Sequence, residues 1–482
     1  MIGATVLPYP TWLNPGDNSW QLTAATLVGL MSVPGLVVLY GGVMQKRWSV
    51  NSMMLAFGAF AAVLIVWVLY AFDMGFGHPW GFLSNGSGGD IHKFLGNFIG
   101  KPGEVLNHAE EQGQATIPLV GGPDWHFPQS TLVYFQFVFA AITPLLMLGS
   151  VLGRINFKAW MVFVPLWITF CYVVNAFLIW GGGYWAQKGA IDFSGGYVIH
   201  LAAGVAGFVA AAVIGPRLAR DREIDAPNNL LMVAVGAGFL WLGWNGFNGG
   251  DPYYAGADSA AAVLNTNLAT AVAFLVWVLW DYMTKRKPSL LGSVNGMIVG
   301  LVAITPAAGF VNGYGAMIIG VVGSTIVYFA YHYLSRCRPF RLVDDTLGVV
   351  YTHGFAGLAG GLMVGILADS KMAVYINPDG TPWFSGTGSA HLFKMQLYTG
   401  LWVIIFTAIM TFILLKLVGL VIPLRMSDAD MEEGDLAVHG HEVYPSDVPS
   451  LGYTGGAVAA AAVAPAWTPS PAGGGAPAGS PE

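Results

Sequence analysis

Long apolar runs separated by short polar breaks dominate the chain, beginning near residues 18, 50, 128, 158, 194, 229, 259, 288, 312, 345 and 391. A helix needs about 20 apolar residues to cross a bilayer, since each residue advances it by only about 1.5 Å. The pattern predicts eleven transmembrane helices, near 18–43, 50–75, 128–152, 158–180, 194–216, 229–250, 259–284, 288–306, 312–334, 345–367 and 391–421. The first run opens on polar SWQLT, has no basic flank and continues through Pro34 and Gly35 without a small-residue cleavage signature. It reads as a helix rather than a removable signal.

Two stretches fall outside this membrane body of residues 1–425. Residues 77–127, rich in Gly, Pro, Asn and His, are too polar to span and form an external loop. Residues 426–482 form a tail, acidic and mixed at first and almost all Ala, Gly, Pro and Ser from about 455, where disorder is expected.

Composition agrees with the pattern: 55% of the 482 residues are hydrophobic and 10% charged, a balance that a water-soluble domain of this size would struggle to keep in solution. Charge placement adds orientation. The breaks at 44–49, 153–158, 217–228, 285–288 and 335–343, with Lys416 and Arg425, hold fifteen of the twenty Lys and Arg, so these loops are expected in the cytoplasm. They follow odd-numbered spans, which puts the N-terminus outside and the tail inside. Cys171 falls mid-span and Cys337 in a cytoplasmic loop, so no disulfide is expected. The net charge of −6 lies largely in the outer loops and tail, and no basic stripe suggests nucleic acid.

The membrane body contains a repeat. Residues 192–207 and 345–360 both fit D-x2-G-x4-H-x2-A-G-x-A-G, five helices apart. Five is odd, so the two copies run in opposite directions, related by a two-fold axis in the membrane plane. That is the inverted repeat of many transporter folds, with the site at the repeat interface. The fold class is thus an all-α polytopic membrane protein with a 5+5 inverted repeat and a final long helix.

In each copy the histidine lies eight residues beyond its aspartate, Asp192 to His200 and Asp345 to His353, which carries it about 12 Å deeper along a helix. A buried histidine either ties helices together by hydrogen bonding or lines a pathway. Duplication favours the pathway, as two neutral imidazoles sharing one proton. The small residues of AG-x-AG let helices approach closely. No Cys or carboxylate stands beside these histidines at metal-ligand spacing, and the Gly/Ala faces leave little room for a porphyrin. No nucleotide-binding motif, cofactor requirement or catalytic constellation is present, so an enzyme is not expected.

These residues resemble the ammonium transporter (Amt/MEP/Rh) family. DFSGGYVIHLAAGVAGFVAAAVIGPR (192–217) resembles its signature, and DDTLGVVYTHG (344–354), PGLVVLYGG (34–42) and WLGWNGFNGG (241–250) match other landmarks. The look is closest to the MEP-like and plant type-2 branch. The resemblance implies a homotrimer, each subunit with its own hydrophobic pore that recruits ammonium outside, deprotonates it and passes ammonia beside the twin histidines. It assigns Trp180 to an external aromatic cage with Phe135 near the vestibule, and Phe139 and Phe247 to a phenylalanine gate. His200 and His353 become the pore pair, with Asp192 and Asp345 in support. Read alone, Trp180 is as easily an interfacial anchor, and the two Phe are ordinary packing residues.

The chain departs from the pattern where many members carry Ser after the FN-x-G segment: here Asp251 follows GFNGG. Asp251 either raises cation concentration at the mouth or is an exposed helix-end carboxylate. Asp73, in YAFDMGFG, replaces another frequent Ser. GDLAVHGHEVY (434–444) resembles the family's tail region with His441 and Val443 in place of the commoner Glu and Ala. In relatives that region packs under a neighbouring subunit and meets a PII-type signalling protein. Two other readings of the fold are an ammonium receptor and an Rh-like channel for neutral gas. The cage Trp180 and the short tail favour the transporter, in a plasma or inner membrane.

Overall fold

The computed structural model describes residues 9–80, 98–120, 125–223, 226–372, 374–376, 382–384 and 386–444. Among the described residues ten helices are long and apolar enough to cross a membrane: α1 (Pro15–Val43), α2 (Lys46–Phe76), α3 (Gln129–Leu148), α4 (Phe157–Gln187), α5 (Gly196–Ile214), α6 (Leu230–Gly249), α7 (Ala257–Lys285), α9 (Gly313–Arg336), α10 (Val350–Leu367) and α11 (Ala390–Gly419). The eighth expected span is α8 (Leu290–Ile304), only 15 residues long. Pro306 cannot continue its hydrogen-bond ladder, and the apolar stretch to Phe310 runs on as tight turns. Most of α8 is buried against α7 and α9, so protein rather than lipid covers it.

The helices start where the sequence supplies caps. Asn14, Asn156, Asn229, Ser289, Asn312 and Ser389 each accept a backbone N–H from the first turn of α1, α4, α6, α8, α9 and α11. α5 and α10 are started differently, and alike. Gly195 and Gly348 hold positive φ, 109° and 70°, before a π-helical turn at Gly196–Leu201 and another at Val350–Phe355. The wider i→i+5 winding of these turns carries His200 and His353. Directly after them the backbones of the two halves touch: a Cβ on Gly204 would collide with Gly354. Glycine here allows the contact that sets the spacing of the imidazoles.

One end of the bundle carries the loop that the charge pattern places outside. Its described parts include a short helix, His108–Gln112, capped by Asn107, and a return to α3 in which Ala115 N–H donates to Phe127 O at 3.0 Å. A small antiparallel hairpin, β1 (Val374–Ile376) with β2 (Pro382–Phe384), precedes α11 and was not anticipated.

The opposite end gathers the basic loops. Arg217 pairs with Asp344 at 2.9 Å, Arg47 with Asp221, and Arg425 donates to Pro216 O at 3.1 Å. Arg154, with no exposure, donates to Gly215 O at 2.7 Å, to Thr346 Oγ1 at 2.6 Å and to Asp344 O. Burial pushes its guanidinium down to about 10. These bonds offset the large cost of desolvating the cation.

The start of the tail is folded onto this face. Two short helices, Asp428–Glu433 and Asp435–His439, dock under α2. Arg47 donates to Met431 O at 2.6 Å and Glu432 O at 2.8 Å, and Asp435 accepts from Val50 N–H and Asn51 N–H, both at 2.8 Å. Those donors belong to the first turn of a helix, where no intrahelical acceptor exists. The segment from 455, where disorder was expected, lies outside the described residues.

Candidate functional site

At the loop end a cavity of about 330 Å³ opens between α4, α6 and the loop before α5, lined among others by Trp125, Trp180, Asp192, Asp251, Tyr253 and Phe310. Trp180, at the last turn of the α4 membrane segment, is fixed by its indole N–H, which donates to Asp192 O at 2.7 Å. Trp180 and Asp192, twelve residues apart in the chain, are therefore in direct contact.

The two carboxylates beside it differ. Asp192 is satisfied: Oδ1 accepts from Gly195 N–H at 3.2 Å, and Oδ2 from Tyr197 and Val198 N–H, both at 2.9 Å. It caps the π-turn of α5, the role of a negative charge at a helix N-terminus. Burial pushes its carboxyl up to about 6, against the pull of those N–H groups. Asp251, 4% exposed, keeps Oδ2 without a hydrogen-bond partner. Burial pushes its carboxyl well above the usual range; the Ser194 hydroxyl opposes this and the charge of Asp192 adds to it. Asp251 is thus neither an exposed helix-end carboxylate nor a cap.

Beneath the cavity runs a column of rings. Phe135 and Phe139, one turn apart on α3, lie 4.7 Å between centroids, and Phe139 meets Trp180 at 6.3 Å. Phe139 and Phe247 close to 4.3 Å at 34°. All three Phe are fully buried. His200 follows at 5.8 Å from Phe247, and His353 at 5.4 Å from His200. The imidazoles meet through Nδ1 and Nδ1 at 3.3 Å, a contact that fits one shared proton, one ring donating and the other accepting. His200 Nε2 is buried without a partner. An unsatisfied buried ring nitrogen of this kind costs about 1–3 kcal/mol.

His353 lines a second cavity, about 130 Å³, at the basic-loop end, with Tyr40, Trp244, Tyr331 and Thr352 among its walls. The predicted residues Trp180, Phe139, Phe247, His200 and His353 therefore form one file between two cavities. Asp345 stands outside the file: it accepts from Val349 N–H at 3.1 Å and Val350 N–H at 2.9 Å, capping α10 as Asp192 caps α5. Asp73 is also apart, at the end of α2 against Gly103, and is not among the residues lining the loop-end cavity. Among the described residues no group of three His, Cys, Asp or Glu is placed to hold a metal.

Sequence reasoning missed Trp244 and Tyr253. Trp244 stacks on His200 at 5.3 Å and 19° while its indole N–H donates to Thr305 Oγ1 at 2.9 Å. Its place one turn before Phe247 on α6 was the available signal. Tyr253, in the turn after Asp251, packs on Phe135 at 5.9 Å and Trp125 at 5.1 Å and roofs the cavity.

The profile of the Ammonium Transporter Family matches residues 19–444. The chain is 48% identical over 439 residues to Ammonium transporter 2 of Arabidopsis thaliana, covering 90% of this chain and 89% of that one. It is 46% identical over 456 residues to Ammonium transporter 3 member 2 of Oryza sativa subsp. japonica, covering 92% of each. The crystal structure of Saccharomyces cerevisiae Mep2 is similar with a TM-score of 0.72 at 29% identity, over 86% of this chain and 88% of that one. A sensor Amt protein shares the fold, with a TM-score of 0.73 at 21% identity over 87% and 96%. The match runs from the first membrane helix to the docked tail, and with near-half identity over nine-tenths of the residues the chain belongs to the ammonium transporter family.

Proposed function

We propose that the protein carries ammonium across a cell membrane, recruiting the cation in the outer cavity and passing ammonia along the ring file. The observation that carries this reading is the Nδ1–Nδ1 contact of His200 and His353 at 3.3 Å, in line with the Phe139–Phe247 pair. An ammonium ion moved into hydrocarbon meets a penalty of about 20 kcal/mol on the idealised Born scale, whereas ammonia is small and neutral. Deprotonation above the phenylalanines removes most of that barrier. Potassium has no proton to lose, so the barrier excludes it.

Each residue then has a role. The face of Trp180 attracts the cation with about 1–2 kcal/mol when desolvated, Phe135 walls the vestibule, and Phe139 with Phe247 forms the gate. His200 and His353 hydrogen-bond ammonia and relay a proton separately, while Asp192 and Asp345 hold the two turns that carry them. The same resemblance supports a homotrimer with the basic face in the cytoplasm and a PII-type protein at that mouth; native mass measurement with and without such a protein tests both assemblies.

The transport test is current on a solid-supported membrane. Purified protein in liposomes receives an ammonium pulse, and wild type is compared with His200→Ala/His353→Ala. A transient current that the double variant loses supports the relay. Ammonia flux without current would replace it with neutral-gas conduction, and neither current nor flux from wild type would overturn the transport reading.

A further inference from the structure

We infer that Asp251 is the group that takes the proton from the recruited ammonium ion. The inference rests on the transport reading and adds the identity of the base.

The two carboxylates of the outer cavity divide their work by hydrogen bonding. Asp192 spends both oxygens on three backbone N–H groups. Three of its about four acceptor sites are so used, and its charge is committed to the start of α5. Asp251 Oδ2 is nine-tenths buried with its residue, lines the same cavity and has no protein donor. An unpaired carboxylate oxygen buried beside an apolar cavity is costly, and a cation bearing four N–H groups satisfies it.

Placement makes the same point. Asp251 follows the last turn of α6, four residues after Phe247, which puts it on the outer side of the gate. Gly250 between them leaves no side chain to displace the Phe135 ring, so ring and carboxylate share one wall. The titratable groups facing Asp251 are Asp192, already bonded, and Tyr172, whose hydroxyl is buried and unpartnered. Two carboxylates in one apolar vestibule do not both ionise freely, so the pair favours holding one added proton. The unbonded oxygen is the one able to receive it.

The step balances. An N–H bond of ammonium breaks with its electron pair left on nitrogen, and the proton forms an O–H bond at Asp251 Oδ2. Neutral ammonia moves past Phe139 and Phe247. The carboxylic acid then gives its proton to water in the cavity, the source from which the separate His200–His353 relay draws, and the carboxylate is restored for the next ion.

The test follows ammonia entry into proteoliposomes by an internal pH dye, at fixed total ammonium and stepped external pH, for wild type, Asp251→Asn, Asp251→Ser and Asp251→Glu. The expected wild-type rate rises as the carboxylate ionises and levels off on the alkaline side. In Asp251→Asn and Asp251→Ser the expected rate is at least tenfold lower near neutrality and keeps climbing about tenfold per pH unit, tracking free ammonia. Asp251→Glu restores a plateau. Either neutral variant, folded by thermal melting and keeping the wild-type plateau, would overturn the inference. A raised half-saturating concentration with the plateau intact would also overturn it, leaving only electrostatic attraction of the cation. Absence of flux in wild type would instead sink the transport reading itself.

Discussion

Asp192 and Asp345 stand at opposite ends of the molecule and make the same structure. Each carboxylate accepts the free N–H groups at the start of a histidine-bearing π-turn, Tyr197 and Val198 for Asp192 and Val349 and Val350 for Asp345. The pair shows why the repeat conserves its spacing within this chain: aspartate, left-handed glycine and histidine form one unit, and two inverted units bring two imidazoles together.

Removing a cap leaves buried N–H groups without acceptors. Asp192→Ala is expected to cost about 2–4 kcal/mol, since bonds to a charged acceptor are worth about 1.5–3 kcal/mol each and partial hydration returns some of the loss. Asp345→Ala, with two such bonds at a less buried position, costs less. Asp192→Asn keeps an acceptor and recovers about half. Thermal melting in detergent checks the order Asp192→Ala, Asp192→Asn, wild type, and equal midpoints for all three would show that the caps carry no stability.

The Phe139–Phe247 contact at 4.3 Å closes the file above His200. Phe247→Ala removes both that contact and the ring beside His200, at a stability cost of about 3–5 kcal/mol where the neighbours do not collapse. The expected outcome is a leak of potassium that wild type lacks, read with a potassium-sensitive dye in liposomes. Trp244→Leu, which leaves the gate rings in place, is expected to lower ammonia flux without the leak. A potassium-tight Phe247→Ala that still passes ammonia would show that the exclusion lies elsewhere.

Much of this was legible in the sequence, and the omissions have physical causes. Ten of the spans followed from apolar length alone, but the eighth was overestimated because Thr305-Pro306-Ala307-Ala308 continues the hydropathy while Pro306 ends the ladder. The repeat was readable because it uses residue types, Asp, Gly and His, whose spacing survives as text. The π-turns were not, since hydrogen-bond register has no composition of its own. Trp180 was found through the family resemblance, whereas Trp244 was hidden among apolar neighbours in WLGWNGF. The free Oδ2 of Asp251 appears only once Asp192 is seen to hold the amides of Gly195, Tyr197 and Val198.

The docked tail was also hidden, because acidic, mixed sequence reads as solvated chain, and its order comes from the Arg47 bonds to Met431 O and Glu432 O together with the buried Met431 and Asp435 side chains. Asp435, 1% exposed, fills the donors of Val50 and Asn51 at the start of α2. Burial pushes its carboxyl up to about 6, with the two N–H groups and nearby His441 opposing the shift and Glu442 adding to it. A carboxyl raised in the docked state binds a proton more tightly there than in the free tail. Its contribution to docking is therefore fully present below the ordinary carboxylate range and is lost as pH rises through about 6. Hydrogen exchange of residues 428–439 is expected to quicken between pH 5 and pH 7, beyond the intrinsic base-catalysed rise, as about one proton is released per docked tail. Asp435→Asn cannot titrate and removes that extra step, while its amide still accepts one of the two N–H groups. His439, whose Nε2 meets Asn51 Oδ1 at 3.0 Å, is the other titratable group of this contact, and burial pushes it below the ordinary imidazole range. Its neutral form is the docked one, so it acts in the opposite sense and loses docking as pH falls. His439→Gln therefore sharpens the step that Asp435 produces, and a step that survives Asp435→Asn but vanishes in His439→Gln would reverse the assignment.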